Sequence, residues 1–337
     1  MRERTDVRRR LVVTLAGFGA LTVLTILLAP LAGSTSIHLS KVFDRSIPFA
    51  DNVDAQVFFV ARLPRVIAAA LVGAGFALSG VVFQGLLRNP LASPDTLGVA
   101  AGATLGAMLA ITAHGSFTLF GISTVVLTSF AGTIGALAIV MAIAVARRQG
   151  TSSTVLLLAG IAIGALLSAA GRFIQYFADV TDTFKTVQWL MGSLDVGSYA
   201  PIVASLVPFG IACVGFCMLP RVLDLISLGE DAAEARGVDV VRMERIALVS
   251  ASLSTGAAVS LGGPVYFVGI IVPHIVRLIV GADHRLVLPA SALFGASFLI
   301  VCDLIARTIV APVEMPVGII TAIIGGPFFL WLLFRGR

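Results

Sequence analysis

The sequence predicts an all-α polytopic membrane protein, a bundle of about ten transmembrane helices with both termini cytoplasmic. Three observations predict it. First, 58% of the 337 residues are hydrophobic and only 12% charged, about half the charged share of a soluble domain. Second, the apolar residues gather into ten runs, most of them long enough for the ~30 Å hydrocarbon layer. Third, the basic residues are distributed unevenly between the loops on the two sides. A soluble enzyme, a disordered chain and a nucleic-acid-binding module are excluded.

The runs lie at about 11–29, 64–86, 96–113, 119–146, 152–176, 200–219, 243–261, 265–281, 286–306 and 316–334. The first follows Arg8-Arg9-Arg10 like a signal peptide, but no small-x-small cleavage site follows it, so it reads as an uncleaved helix. The second opens on Arg62-Leu63-Pro64-Arg65 after a polar outer segment at 30–61, expected to be solvated. The third and fifth carry Gly102-x-x-x-Gly106 and Gly160-x-x-x-Gly164, spacings that let helix backbones approach closely. Cys213 and Cys217 share one face of the sixth, and Cys302 lies in the ninth, with no disulfide framework. The eighth is short and holds Pro273 and His274, so a broken or tilted span is expected there. The ninth holds Asp303 four residues before Arg307, the spacing of a local ion pair.

With ten spans and an inner N-terminus, sixteen of the 23 basic residues fall inside. The seven outside are Lys41, Arg45, Arg62, Arg65, Arg172, Lys185 and Arg307. That asymmetry satisfies the positive-inside rule, and the reverse orientation violates it.

One inner loop stands out, at about 221–241. Glu230 and Asp231 suit a helix start and Arg236 a helix end, and Gly237 is a natural stop. A short helix is expected there. Its acidic, small-residue face is unlike the basic face of a helix resting on lipid headgroups.

Several chemistries find no support. The two lysines follow Ser40 and Phe184, so neither belongs to a phosphate-binding Gly-Lys loop. The four histidines are scattered without metal spacing. No catalytic, cofactor or metal residue is assigned.

Arg62-Leu63-Pro64-Arg65, Asn89-Pro90-Leu91-Ala92-x-Pro94, Trp189-Leu190-Met191-Gly192, Leu228-Gly229-Glu230-x-Ala232-Ala233, Gly262-Gly263-Pro264 and Glu314-x-Pro316-x-Gly318 occur in this order. Together they resemble the permease family of ABC importers for iron–siderophore complexes, haem and vitamin B12, over nearly the whole chain. The resemblance implies one transmembrane domain over 1–337 in a bacterial cytoplasmic membrane. It implies a second permease subunit (homodimer or close heterodimer), two ATPase subunits inside, an extracytoplasmic binding protein outside, surrounding lipid and no nucleic acid.

The resemblance also implies site residues. Arg62, Arg65 and Arg307 would receive the binding protein's carboxylates, though headgroup contacts or the Asp303 pair compete as readings. Gly229, Glu230, Ala232, Ala233, Arg236 and Gly237 would form the helix that couples to the ATPase. Asn89, Leu91, Thr151 and Ser152 would narrow the inner end of the path; Asn89-Pro90 also reads as a plain turn, and Thr151-Ser152 as a helix cap. A ferric siderophore is the leading substrate, with corrinoid or haem next. On residues alone an ion-coupled secondary transporter stays open, with Asp303 its best carboxylate.

Overall fold

The computed structural model describes residues 2–94, 98–114, 118–146 and 153–335. The elements are α1 (Arg2–Leu28), α2 (Leu39–Val42), α3 (Val53–Gln56), α4 (Leu63–Leu86), α5 (Val99–Thr112), the hairpin β1 (Thr118–Leu119) and β2 (Ile122–Ser123), α6 (Thr124–Ala146) and α7 (Ser153–Tyr176). They continue with α8 (Val180–Leu190), α9 (Ala200–Met218), α10 (Pro220–Ser227), α11 (Glu230–Glu234), α12 (Val240–Gly262), α13 (Val268–Val280), α14 (His284–Thr308) and α15 (Val317–Arg335). Among the described residues seven helices are long and apolar enough to cross a membrane, and α5, α13 and α15 are shorter apolar helices. Each of the ten apolar runs therefore holds one helix.

α4 is the central post. It packs against α12, α13 and α14, and 78% of its most apolar stretch is buried. Contact there is backbone to backbone. A Cβ on Gly73 would lie 2.2 Å from the Gly295 carbonyl oxygen, and one on Gly295 would lie 2.5 Å from that of Gly73. Apolar side chains gain little by leaving lipid, so close approach of small residues drives such packing. The two GxxxG spacings are used in the same way. Gly102 and Gly106 meet Gly132 and Thr128 of α6, while Gly160 and Gly164 meet Gly98 at the start of α5.

Helix starts follow from short polar caps. Asn52, Asp179, Asp239 and Asp283 each accept a hydrogen bond from a backbone N–H of the helix they precede, satisfying donors the helix cannot. The segment at 30–61 departs from the solvated loop expected of it. Its last nine residues are helical, α3 running through a wide π turn (Val57–Arg62) into α4. Pro64 has no N–H to donate, and Arg62, two residues before it, is turned inward, 5% exposed. The eighth run is not broken where a broken span was expected: α13 runs unbroken from Val268 to Val280 through Pro273, and the positive φ values of Gly263 and Phe267 fall in the turn before it. The sequence reading missed α8 and the small outer hairpin.

Candidate functional site

The three outer arginines converge. Arg65 on α4 donates from Nε to Asp303 Oδ1 on α14 at 2.9 Å, and from Nη1 to Glu314 Oε2 in the turn before α15. Arg307, one helical turn beyond Asp303, places Nε 3.0 Å from Asp303 Oδ2 and donates to the Ala29 and Ala32 carbonyls. Arg62 donates to the Pro30 carbonyl at 3.0 Å and to Thr35. Gly33 leaves room for that guanidinium: a Cβ there would lie 2.7 Å from Arg62 Nη2. All three cations thus gather around the 29–35 segment with two carboxylates. Buried charge persists only where it is paired, and Asp303 is fully buried.

This arrangement differs from an outward-facing row. Arg62 and Arg307 are buried. The Arg65 side chain is 13% exposed and its partner Glu314 39%. Sequence reading quoted Glu314 only as part of a motif; a partner 249 positions from Arg65 leaves no local signal.

At the inner end α4 runs into a tight turn. Asn89 N–H donates to the Gln84 carbonyl, and Asn89 Oδ1 accepts from Leu91 N–H at 2.9 Å. The candidate gate residues Asn89 and Leu91 therefore sit in a turn closed by the Asn89 side chain, so the plain-turn reading of Asn89-Pro90 holds. Buried Gln84 donates to the Gly269 carbonyl and accepts from Arg277, tying the turn to α13. Thr151 and Ser152 lie outside the described residues.

Arg88 connects this turn to the inner loop. Its Nη2 donates to Glu230 Oε1 at 2.9 Å. Glu230 opens α11 behind Gly229, Arg236 Nη1 donates to the Ala232 carbonyl, and Gly237 takes positive φ after the helix. The expected short helix is present with the expected ends. A second helix, α10, precedes it. Asp224 of α10 accepts from His284 N–H and from its ring Nδ1 at 2.6 Å, bolting the unit to the start of α14.

Ala233, expected in the helix that couples to the ATPase, is itself fully buried in a small cluster with Ile226 and Val240. It faces the permease. The residues presented outward are Leu228, 66% exposed, with Asp231, Glu234 and Ala235. A five-residue helix has too few turns to reveal its inner face by periodicity.

A cleft of about 460 Å³ runs between α5 and α7. Thr104, Ser168, Gln175, Tyr266 and Arg172 contribute its polar lining. Arg172 is exposed there and has no ionic partner among the described residues. In the sequence it stands only as one of the seven outer basic residues.

Among the described residues one His/Asp group has metal-like spacing, His114 with Asp179 and Asp182. Lys185 Nζ lies 3.3 Å from Asp182 Oδ1 and His114 Nδ1 lies 3.1 Å from Oδ2. The group forms an ion-paired knot that fastens α8 to the end of α5.

The FecCD transport family matches residues 21–335. The hemin transport system permease protein HmuU of Yersinia pestis is 38% identical, over 95% of this chain and 95% of the relative. The cobalamin import system permease protein BtuC of Halobacterium salinarum is 39% identical, over 93% of this chain and 87% of the relative. A solved ABC transporter assigned to the metal-chelate type, in an inward-facing conformation, superposes with a TM-score of 0.83 at 33% identity, over 95% of this chain and 98% of that one. With ten apolar helices and relatives matched nearly end to end, the chain belongs to the FecCD transport family and is a multi-pass permease subunit of an ABC transporter.

Proposed function

We propose that this permease imports an acidic metal chelate, a ferric siderophore first, across a bacterial cytoplasmic membrane. The observation that carries the substrate class is Arg172, an unpaired cation in the polar cleft between α5 and α7. A cation without an ionic partner in such a cleft favours an anionic visitor. Haem is the second reading, favoured by the Yersinia pestis relative named for hemin. The cleft is open on one side of the single chain, which supports completion of the path by a second permease subunit.

In this reading two ATPase subunits push on the exposed face of α11, and an extracytoplasmic binding protein docks over Arg62, Arg65 and Arg307. The unit at about 221–241 belongs to the one domain over 1–337. Asn89 and Leu91, with Thr151 and Ser152, narrow the inner exit. An ion-coupled carrier is disfavoured because Asp303, its best carboxylate, is held between Arg65 and Arg307. The test is uptake by proteoliposomes holding the full importer, offered binding protein loaded with a ferric siderophore, haem or a corrinoid. ATP-dependent uptake of an acidic chelate, reduced at least tenfold by Arg172→Ala, is expected. Uptake of a corrinoid alone, indifferent to Arg172, overturns the substrate assignment.

A further inference from the structure

α1 packs along α14. Thr22 Oγ1 donates to the Leu293 carbonyl at 2.9 Å, and the Phe18 ring lies 5.7 Å from that of Phe294. Between α1 and the end of α13 this leaves a groove of about 600 Å³. Arg9 and Arg10 stand at its mouth, and Val13, Gly17, Leu21 and Ile279 line its length. Arg9 has no partner among the described residues, and Arg10 donates only a long bond, 3.4 Å, to the Val280 carbonyl. The first ten residues carry five arginines against Glu3 and Asp6, so the segment that leads to the mouth is net positive in sequence. A Cβ on Gly17 would meet nothing within 4 Å; the space beside it is not filled by protein.

We propose that this groove binds an anionic phospholipid of the cytoplasmic leaflet, its phosphate between Arg9 and Arg10 and an acyl chain along Gly17. The dimensions agree. At 1.5 Å per residue the groove from Arg10 to Leu21 is about 16 Å long, close to half of a ~30 Å hydrocarbon core. Its cationic end lies on the side that holds most basic residues, where headgroups sit, and its apolar end lies near mid-bilayer. Basic recesses between helices at the cytoplasmic face suit anionic headgroups. A protein segment would not need a charged mouth one leaflet from an apolar end.

The test uses the intact permease–ATPase complex, delipidated and titrated with phosphatidylglycerol or phosphatidylcholine, with bound lipid counted by native mass spectrometry. Phosphatidylglycerol should occupy one extra site per permease that phosphatidylcholine does not. Arg9→Ala with Arg10→Ala should weaken that site about 30-fold, since each basic residue near the surface contributes about fivefold. Gly17→Leu fills the trough, leaves both arginines in place and adds its side chain to open space; it should abolish the site with the thermal midpoint unchanged. Equal retention of the two lipids, or unchanged binding in the double arginine variant, overturns the proposal. Binding that survives Gly17→Leu, or that millimolar inorganic phosphate displaces, marks a surface anion site and overturns it too.

Discussion

Arg88 Nη2 donates to Glu230 Oε1 across 2.9 Å, joining the turn that ends α4 to the first residue of α11. The consequence is mechanical. Asn89 follows Arg88 directly and is hydrogen-bonded back to Gln84. A displacement of α11 would therefore be passed to the Asn89 turn, the inner gate in the proposed function, without passing through a transmembrane helix.

Reversing the pair tests that link. An exposed ion pair contributes at most about 1 kcal/mol, and both side chains are more than a third exposed, so Arg88→Glu should leave the fold intact. Uptake should fall several-fold while ATP hydrolysis by the complex continues. Arg88→Glu with Glu230→Arg should restore at least half of the uptake. Failure of the swap to rescue, measured in proteoliposomes, would remove the pair from the coupling route.

The inner unit separates packing from contact. Ala233 is fully buried against Ile226 and Val240, so Ala233→Leu overpacks a filled site and should cost about 1–3 kcal/mol of stability. Leu228 is 66% exposed; Leu228→Asp should leave the permease's thermal midpoint unchanged yet reduce co-purification of the ATPase at least tenfold. If Leu228→Asp assembles normally, the contact surface lies elsewhere on the loop.

The ten spans were legible because a bilayer fixes the length of an apolar run. α8 was not, because an eleven-residue amphipathic helix at the surface carries no such length signal. Ala233 shows a second limit: which way a side chain faces in one turn of helix depends on Ile226 and Val240, which only the fold brings to it. Arg65 and Glu314 show a third, since an ion pair between distant segments has no spacing to read. Sequence found the three outer arginines, but not that two of them are spent on the backbone of 29–35.

Asp303 should be the most sensitive position in the outer cluster. It is fully buried and faces both Arg65 and Arg307. Removing one member of a buried ionic group leaves charge uncompensated, at a cost of about 3–5 kcal/mol. Asp303→Ala should therefore express poorly or melt early in detergent, whereas Glu314→Gln, at the exposed edge, should stay near the parent midpoint. Equal stability of the two variants would show that Asp303 is not what holds the arginines.

Acid should loosen the inner end of α14. Hydrogen bonds from the Arg285 side chain and backbone hold the Asp283 carboxyl below its usual 3.8. A carboxylate with a lowered folded pKa contributes stability above its unfolded pKa and loses it as pH falls through the folded value. Parent stability should thus drop as pH falls below about 4. Asp283→Asn keeps an oxygen that caps the helix but does not titrate, so its thermal midpoint should fall less over that interval. Identical acid profiles would place the sensitivity on another carboxylate.

In the proposed docking of a binding protein, the arginine left to meet it is Arg65. Arg62 and Arg307 are occupied by backbone carbonyls of 29–35, so their part is to fix that platform. Arg65 has one bond to buried Asp303 and one to Glu314, which is 39% exposed. An incoming carboxylate would take the place of Glu314 on Nη1, in a charge-assisted hydrogen bond, while Nε stays on Asp303. Arg65→Ala should weaken affinity for the binding protein by 30-fold or more, since truncating one member of a partly buried charge pair costs about 2–5 kcal/mol. Glu314→Gln weakens the internal competitor and should tighten affinity several-fold. Both are read as dissociation constants for the permease–ATPase complex in nanodiscs, at low and high salt. Unchanged affinity in Arg65→Ala would sink the docking role. Weaker affinity in Glu314→Gln would mean that the Arg65–Glu314 pair is itself part of the surface the binding protein recognises.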